Sequence, residues 1–210
     1  MNILIFGSSI TWGAWDKNGG WAQRLKSFTD AKARELNFKN YTAVYPLGVS
    51  GNTTNGLLQR FDTEVKARVD GGEETLIVIE IGMNDSLFLL AENKHLVPPE
   101  EYRKNLITLI ERSKKYGARL IFVGLTPVDK RVDPIPWLSS GAYRLEFVKK
   151  YEDILKEVCE EGKVDFVEVM SKFPAKDYAT LLTDGVHPST EGHRIIFEEV
   201  KRYLMDKGLI

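Results

Sequence analysis

Residues 2–13 read Asn2-Ile3-Leu4-Ile5-Phe6-Gly7-Ser8-Ser9-Ile10-Thr11-Trp12-Gly13. Ile3 to Phe6 form an unbroken run of large apolar side chains with no polar alternation. Such a run fits a strand covered on both faces better than one with a wet side. Gly7 ends it, and two serines follow in what must be a tight turn. The run is short and has no positively charged flank, so it reads as a buried strand and not as a secretory leader.

The same kind of segment recurs along the chain. Residues 42–47, 75–81, 120–125 and 164–169 are rich in Ile, Val, Leu and Phe. Between the five strand candidates lie amphipathic stretches at 20–36, 53–69, 99–116, 141–161 and 189–206. In the third, Tyr102, Leu106, Leu109 and Ile110 recur at helical spacing behind Pro98-Pro99, a good helix start. In the last, Ile196, Val200 and Leu204 make one stripe behind Ser189, a candidate N-cap. Strands alternating with helices predict an α/β fold: a three-layer α/β/α sandwich with a parallel sheet, one domain over residues 1–210. In such sheets ligands bind outside the carboxyl ends of the strands. The functional residues should therefore follow the strands immediately. Two longer connections, 83–97 and 126–140, are candidates for shaping a site.

Composition narrows the function classes. Of 210 residues 43% are hydrophobic and 28% charged, enough for a sizeable core and a soluble surface. Lys and Arg number 29 against 30 Asp and Glu, a net charge of -1, with no basic stripe for nucleic acid. No apolar run is long enough to span a bilayer. Cys159 is the one cysteine, so no intramolecular disulfide can form, and a cytoplasmic location is expected. Cys159 shares a helical stripe with Leu155 and Val158 and is expected in the core.

Four clusters stand at strand ends or at the last helix start. Gly7-Ser8-Ser9 places a hydroxyl in a turn after the first strand. Gly48-Val49-Ser50-Gly51-Asn52-Thr53 follows the second, where Asn52 or Thr53 can also cap the next helix. Gly82-Met83-Asn84-Asp85 follows the third; Asn84 carries an amide donor suited to an oxyanion, or to an ordinary Asx-turn. Asp184-Gly185-Val186-His187-Pro188 precedes the last helix. An aspartate three residues before a histidine can reach the imidazole Nδ1–H across a short loop and fix its tautomer. Of the three histidines, His95 lies in a polar loop and His193 inside a helix, which leaves His187 as the candidate base. Each cluster alone has a plain structural explanation, but their order supplies a nucleophile, two oxyanion donors and a base.

In these four blocks the chain resembles the SGNH (GDSL-type) serine esterase/lipase family. The matches are Ser9, Gly51, Asn84 and His187 with Asp184, running over nearly the whole chain. The resemblance implies a flavodoxin-like sandwich with five parallel strands and acyl-ester hydrolysis without a cofactor. It implies a triad of Ser9, Asp184 and His187, with an oxyanion hole from Ser9, Gly51 and Asn84. One departure stands out: the family pattern usually has aspartate where this chain has Ser8, so retuned or reduced activity is expected. No Gly-x-Ser-x-Gly elbow, P-loop or Gly-x-Gly-x-x-Gly fingerprint is present. No histidine pair has metal-ligand spacing, so no metal is expected.

The expected partner is a small acyl ester, acetyl and other short-chain esters first and acetylated sugars second. Other roles on the same scaffold are carbohydrate O-deacetylase and thioesterase or lysophospholipase; a rival class is a binding protein retired by Ser8. Trp12, Trp15, Phe88 and Trp137 are candidates to wall the acyl pocket, or else to fasten loops. Trp21 is expected to pack a helix on the core. The run Leu87-Phe88-Leu89-Leu90 offers an exposed patch for homo-oligomerisation. A base that must be neutral predicts a rate that falls below roughly pH 6–7.

Overall fold

The computed structural model describes residues 1–39, 41–69 and 72–210. Its strands are β1 (Asn2–Gly7), β2 (Ala43–Gly48), β3 (Thr75–Glu80), β4 (Phe88–Leu89), β5 (Lys94–His95), β6 (Arg119–Val123), β7 (Gly141–Ala142) and β8 (Asp165–Val167). Its α-helices are α1 (Ser9–Trp12), α2 (Gly20–Glu35), α3 (Thr54–Lys66), α4 (Pro99–Lys115), α5 (Leu145–Gly162) and α6 (Thr190–Asp206).

Five strands form one parallel sheet in the order β2-β1-β3-β6-β8. Numbered within that sheet alone, the order is 2-1-3-4-5, the flavodoxin-type arrangement. The expected α/β sandwich is thus present, each of the five strand candidates supplying one strand. β1 and β3 are buried along their whole length. Ile3, Leu4, Ile5 and Phe6 are each 0% exposed, and full burial stabilises each by about 1.5–3 kcal/mol. α2 packs against α6, while α4 packs against both α3 and α5, which makes the two outer layers.

Helix ends follow local chemistry. Pro99 opens α4, with Glu100 and Glu101 in its first turn and Arg112, Lys114 and Lys115 in its last, matching the helix dipole. Ser189 caps α6 by accepting the Gly192 N–H at 3.4 Å, and Thr53 caps α3 through the Gly56 N–H at 3.4 Å. At the carboxyl edge of β2, a Cβ on Gly48 would lie 2.2 Å from the Trp12 nitrogen. Only glycine lets α1 sit that close to the sheet.

Three expectations are corrected. The helix expected from residue 141 begins at Leu145, because Gly141 and Ala142 form β7 and pair with Leu89 and Phe88. The 87–90 run is not an exposed patch: Leu87 is buried, Phe88 and Leu89 are half-buried in the small β5-β4-β7 sheet, and only Leu90 is exposed. His95 is not in a polar loop; it lies in β5 with its ring against Phe88, Phe147 and Tyr151. Cys159 and Trp21 are in the core as expected. Among the described residues, no helix is long and apolar enough to cross a membrane.

Candidate active site

Ser9 heads α1 directly beyond the carboxyl end of β1, where β1 meets β3 at the switch in strand order. Its Oγ lies 2.9 Å from His187 Nε2, joining residues 178 positions apart in the chain. His187 sits on the loop before α6, tied down by the Thr183 N–H donating to the His187 carbonyl at 2.8 Å. The ring's other nitrogen, Nδ1, donates to Asp184 Oδ2 at 2.7 Å. That bond leaves Nε2 as the acceptor for the Ser9 hydroxyl. Asp184 Oδ1 accepts the backbone N–H groups of Val186 at 3.1 Å and His187 at 2.9 Å. Burial alone would raise the Asp184 carboxyl. The His187 ring and these two N–H groups outweigh it and hold the group well below the usual carboxylate range. Asp184 is thus a fixed anion next to the imidazole.

The expected oxyanion donors come from three chain segments. Ser9 is the first residue of α1, where backbone N–H groups have no helical acceptor. Gly51 takes a φ of 76°, a turn conformation open to glycine, after the end of β2. The Asn84 amide is oriented from both sides. Tyr143 donates its hydroxyl to Oδ1 at 2.7 Å, and Nδ2 donates to the Asn52 carbonyl at 2.9 Å. One amide proton of Asn84 remains for a ligand. Asp85 locks the same loop to the start of α3, accepting the Thr54 N–H at 3.0 and 3.1 Å. Arg60 ties the blocks together. Its guanidinium donates to the Gly7 carbonyl at 3.2 Å, the Leu47 carbonyl at 2.8 Å and Asn52 Oδ1 at 2.8 Å.

Ser8 is buried, its hydroxyl makes no capping bond to α1, and that oxygen has no partner among the described residues. The carboxyl serving the first turn comes from the neighbouring strand instead. Glu80, opposite Gly7 in the sheet, accepts the Thr11 hydroxyl at 2.7 Å. Burial pushes Glu80 from its ordinary 4.5 up to about 8, opposed by the Thr11 hydroxyl and backbone N–H and reinforced by Glu152. Between those values the folded chain keeps a proton that the unfolded chain releases, so this group's contribution to stability falls as pH rises. Glu80→Gln, which stays neutral, is therefore expected to match the parent chain near pH 4. It should then gain a Tm advantage of roughly a few degrees by pH 8. Thermal melts at four pH values check this, and a constant offset across them would refute it.

The aromatic candidates separate. Trp12, Trp15 and Trp137 are all exposed. Trp15 touches the expected base, its indole meeting the His187 ring edge-on with centroids 6.0 Å apart. Neither Trp12 nor Trp137 shares a hydrogen bond or ring contact with a triad residue among those described. Phe88 is drawn into a different cluster: its ring packs against Phe147 at 5.2 Å and His95 at 5.4 Å, because β4 is pinned between β5 and β7. His193 is fully buried in α6, and burial pushes it down to about 4, so it is a packed neutral ring near the site. Tyr143, Arg60 and Glu80 escaped the sequence reading. Arg60, in the middle of a helix and able to reach three acceptors, left the only trace, as a cation on an amphipathic stretch whose polar face should be wet.

The sequence profile of the GDSL-like lipase/acylhydrolase family matches residues 5–195. A GDSL esterase/lipase of Arabidopsis thaliana is 29% identical over 213 residues, covering 97% of this chain and 78% of that one. An isoamyl acetate-hydrolyzing esterase of Schizosaccharomyces pombe is 24% identical, covering 94% and 72%. Among solved structures, an acetylxylan esterase from Geobacillus stearothermophilus superimposes with a TM-score of 0.73 at 24% identity, over 96% of this chain and 92% of that one.

Proposed function

The chain belongs to the GDSL-like lipase/acylhydrolase family and is a carboxylic ester hydrolase, and from that premise we propose that Ser9, His187 and Asp184 are its catalytic triad and that it cleaves short acyl esters, acetyl esters first. The observation that carries the reading is the continuous chain of hydrogen bonds from Ser9 Oγ through His187 to Asp184, at 2.9 and 2.7 Å.

In this reading His187 Nε2 takes the Ser9 proton as Oγ attacks the acyl carbon. The oxyanion is met by the N–H groups of Ser9 and Gly51 and by Asn84 Nδ2. The alcohol leaves with the proton from His187. Water, deprotonated by the same ring, then releases the acid and restores the serine. Asp184, already a firm anion, stabilises the imidazolium in both halves. The short-acyl preference draws on relatives named for acetate esters, an isoamyl acetate esterase and an acetylxylan esterase. The second of these also favours an acetylated sugar as the alternative substrate.

The test is a fluorophosphonate probe with peptide mapping, run beside p-nitrophenyl acetate, butyrate and octanoate, acetylated xylan and an acyl thioester. The adduct is expected on Ser9, and kcat/KM should fall by about tenfold or more from acetate to octanoate. A preference for octanoate or for the thioester would overturn the acyl-size assignment. No adduct and no turnover in folded protein would return the chain to the binding-protein reading that Ser8 raised.

A further inference from the structure

Trp15 is exposed yet spends its only polar atom on the centre of the triad. Its Nε1–H donates to Asp184 Oδ2 at 2.9 Å and lies 3.3 Å from His187 Nδ1. Since Nδ1 itself carries a proton toward Oδ2, the indole proton belongs to the carboxylate. Asp184 then receives four donors: two backbone N–H groups on Oδ1, and the imidazole and indole N–H groups together on Oδ2.

The backbone under Trp15 is built to hold it there. Trp15 has a φ of 65°, in the left-handed region that costs a bulky L residue energy and persists only where the surroundings impose it. Those surroundings are visible on both sides of the residue. Asp16 is buried and accepts from Gly20 N–H at 2.9 Å, Thr190 Oγ1 at 2.9 Å and the Arg24 guanidinium at 3.0 Å. On the other side, His193 Nε2 faces the Ala14 carbonyl at 3.4 Å. The turn is thus clamped to α2 and α6, the same helix whose entry loop carries Asp184 and His187.

We propose that Trp15 is a positioning residue: its indole N–H fixes the rotation of the Asp184 carboxylate and shares its charge with His187, while its ring shields that bond from water. The proposal rests on the triad reading above. With Oδ1 held by two backbone N–H groups, the indole restrains the Oδ2 end; a carboxylate looser there would let the imidazole tilt away from Ser9, and small misplacements of a general base are costly in rate. Sharing Oδ2 between two donors also weakens the hold of the carboxylate on the imidazolium. Removing the indole proton should therefore let the ring keep its own proton to higher pH. Besides His187, the charged and titratable groups near enough to act electrostatically on Asp184 are Asp129, Arg131 and Tyr143, and His193 acts in the same way on His187. Of these, His187 is the one recorded in contact with Trp15 among the described residues, so the shift is read there.

Trp15→Phe keeps an aromatic ring on the same backbone but removes the donor together with the outer part of the indole. With p-nitrophenyl acetate, kcat is expected to fall by about tenfold, the scale set by one hydrogen bond to a charged group. KM should change by less than about twofold, and the acid limb of kcat/KM should move to higher pH. Trp15→Ala should be no better than Trp15→Phe. A rise in KM at unchanged kcat would overturn the proposal in favour of a substrate wall. So would full activity in Trp15→Phe with a loss confined to Trp15→Ala. A readout free of turnover separates this proposal from the triad reading. The indole Nε1–H resonance, assigned by its disappearance in Trp15→Phe, should move upfield in Asp184→Ala. An unmoved resonance overturns the hydrogen bond itself, whereas a moved resonance in a protein that hydrolyses nothing supports the bond and condemns the esterase reading alone.

Discussion

Ser9→Ala is expected to lower kcat for p-nitrophenyl acetate by about 10⁴- to 10⁶-fold, the loss typical when a serine nucleophile is deleted from a complete triad. The structure explains why the fold should survive the change. Ser9 is a small residue at the first position of α1, and its Oγ makes one recorded side-chain hydrogen bond, to His187. Alanine fits that helical position without strain, and His187 stays held by Asp184 through both its ring and its backbone N–H. The melting temperature should therefore change by no more than about a few degrees. Some rate will persist, because the oxyanion donors and the base remain and can direct water at a bound ester. Stopped-flow kinetics, with the fluorophosphonate adduct as a control, measures both the loss and the missing nucleophile. Residual activity within about tenfold of the parent would mean that chemistry does not pass through Ser9, and the acyl-enzyme route would have to be given up.

The parts of this molecule that were legible in its sequence are those set by local patterning. The run at 3–6 reads as a strand covered on both faces, and four further runs of the same kind, alternating with amphipathic stretches, point to the parallel sheet. Asp184 and His187 were readable as a pair because three residues separate them and one loop can hold both. Ser9 and His187 lie 178 residues apart, and no local rule joins them. What joined them was the expectation that strand ends converge, together with the family's four-block order. What stayed hidden has a physical reason in each case. β4, β5 and β7 have two residues each, too few to show a period, and exist only through pairing with one another. Tyr143 reaches Asn84 across 59 positions from a stretch that read as the start of a helix. Glu80 lies within the third strand candidate, and nothing local shows that it meets Thr11 across 69 positions. Trp15 was visible as an aromatic near the nucleophile. The destination of its N–H depends on a left-handed turn that no propensity scale assigns to tryptophan.

Asn84→Ala should reduce kcat by about 100- to 1000-fold with KM altered less than about threefold, because an oxyanion donor acts on charge that appears only in the transition state. The case depends on the amide being fixed before substrate arrives. Tyr143 holds Oδ1 at 2.7 Å and the Asn52 carbonyl holds Nδ2 at 2.9 Å, so the remaining N–H has one direction left to point. A donor on Oδ1 also polarises the amide and strengthens what Nδ2 can give. The surrounding loop does not depend on this side chain, since Asp85 bonds it to the Thr54 N–H independently. A modest fall in Tm is expected from the Tyr143 hydroxyl left without its acceptor. Asn84→Asp keeps the shape, still accepts from Tyr143, and places an acceptor where the donor stood; it should be at least as damaging as alanine. Tyr143→Phe should fall between these variants and the parent chain, since it frees the amide without removing it. Binding of a trifluoromethyl ketone, which forms a stable oxyanion on Ser9, reports the same interaction without turnover. It should weaken in step with kcat across the three variants. If instead KM rises while kcat and inhibitor affinity hold, Asn84 contacts the ground-state ester, and the oxyanion would have to be stabilised by the N–H groups of Ser9 and Gly51 alone.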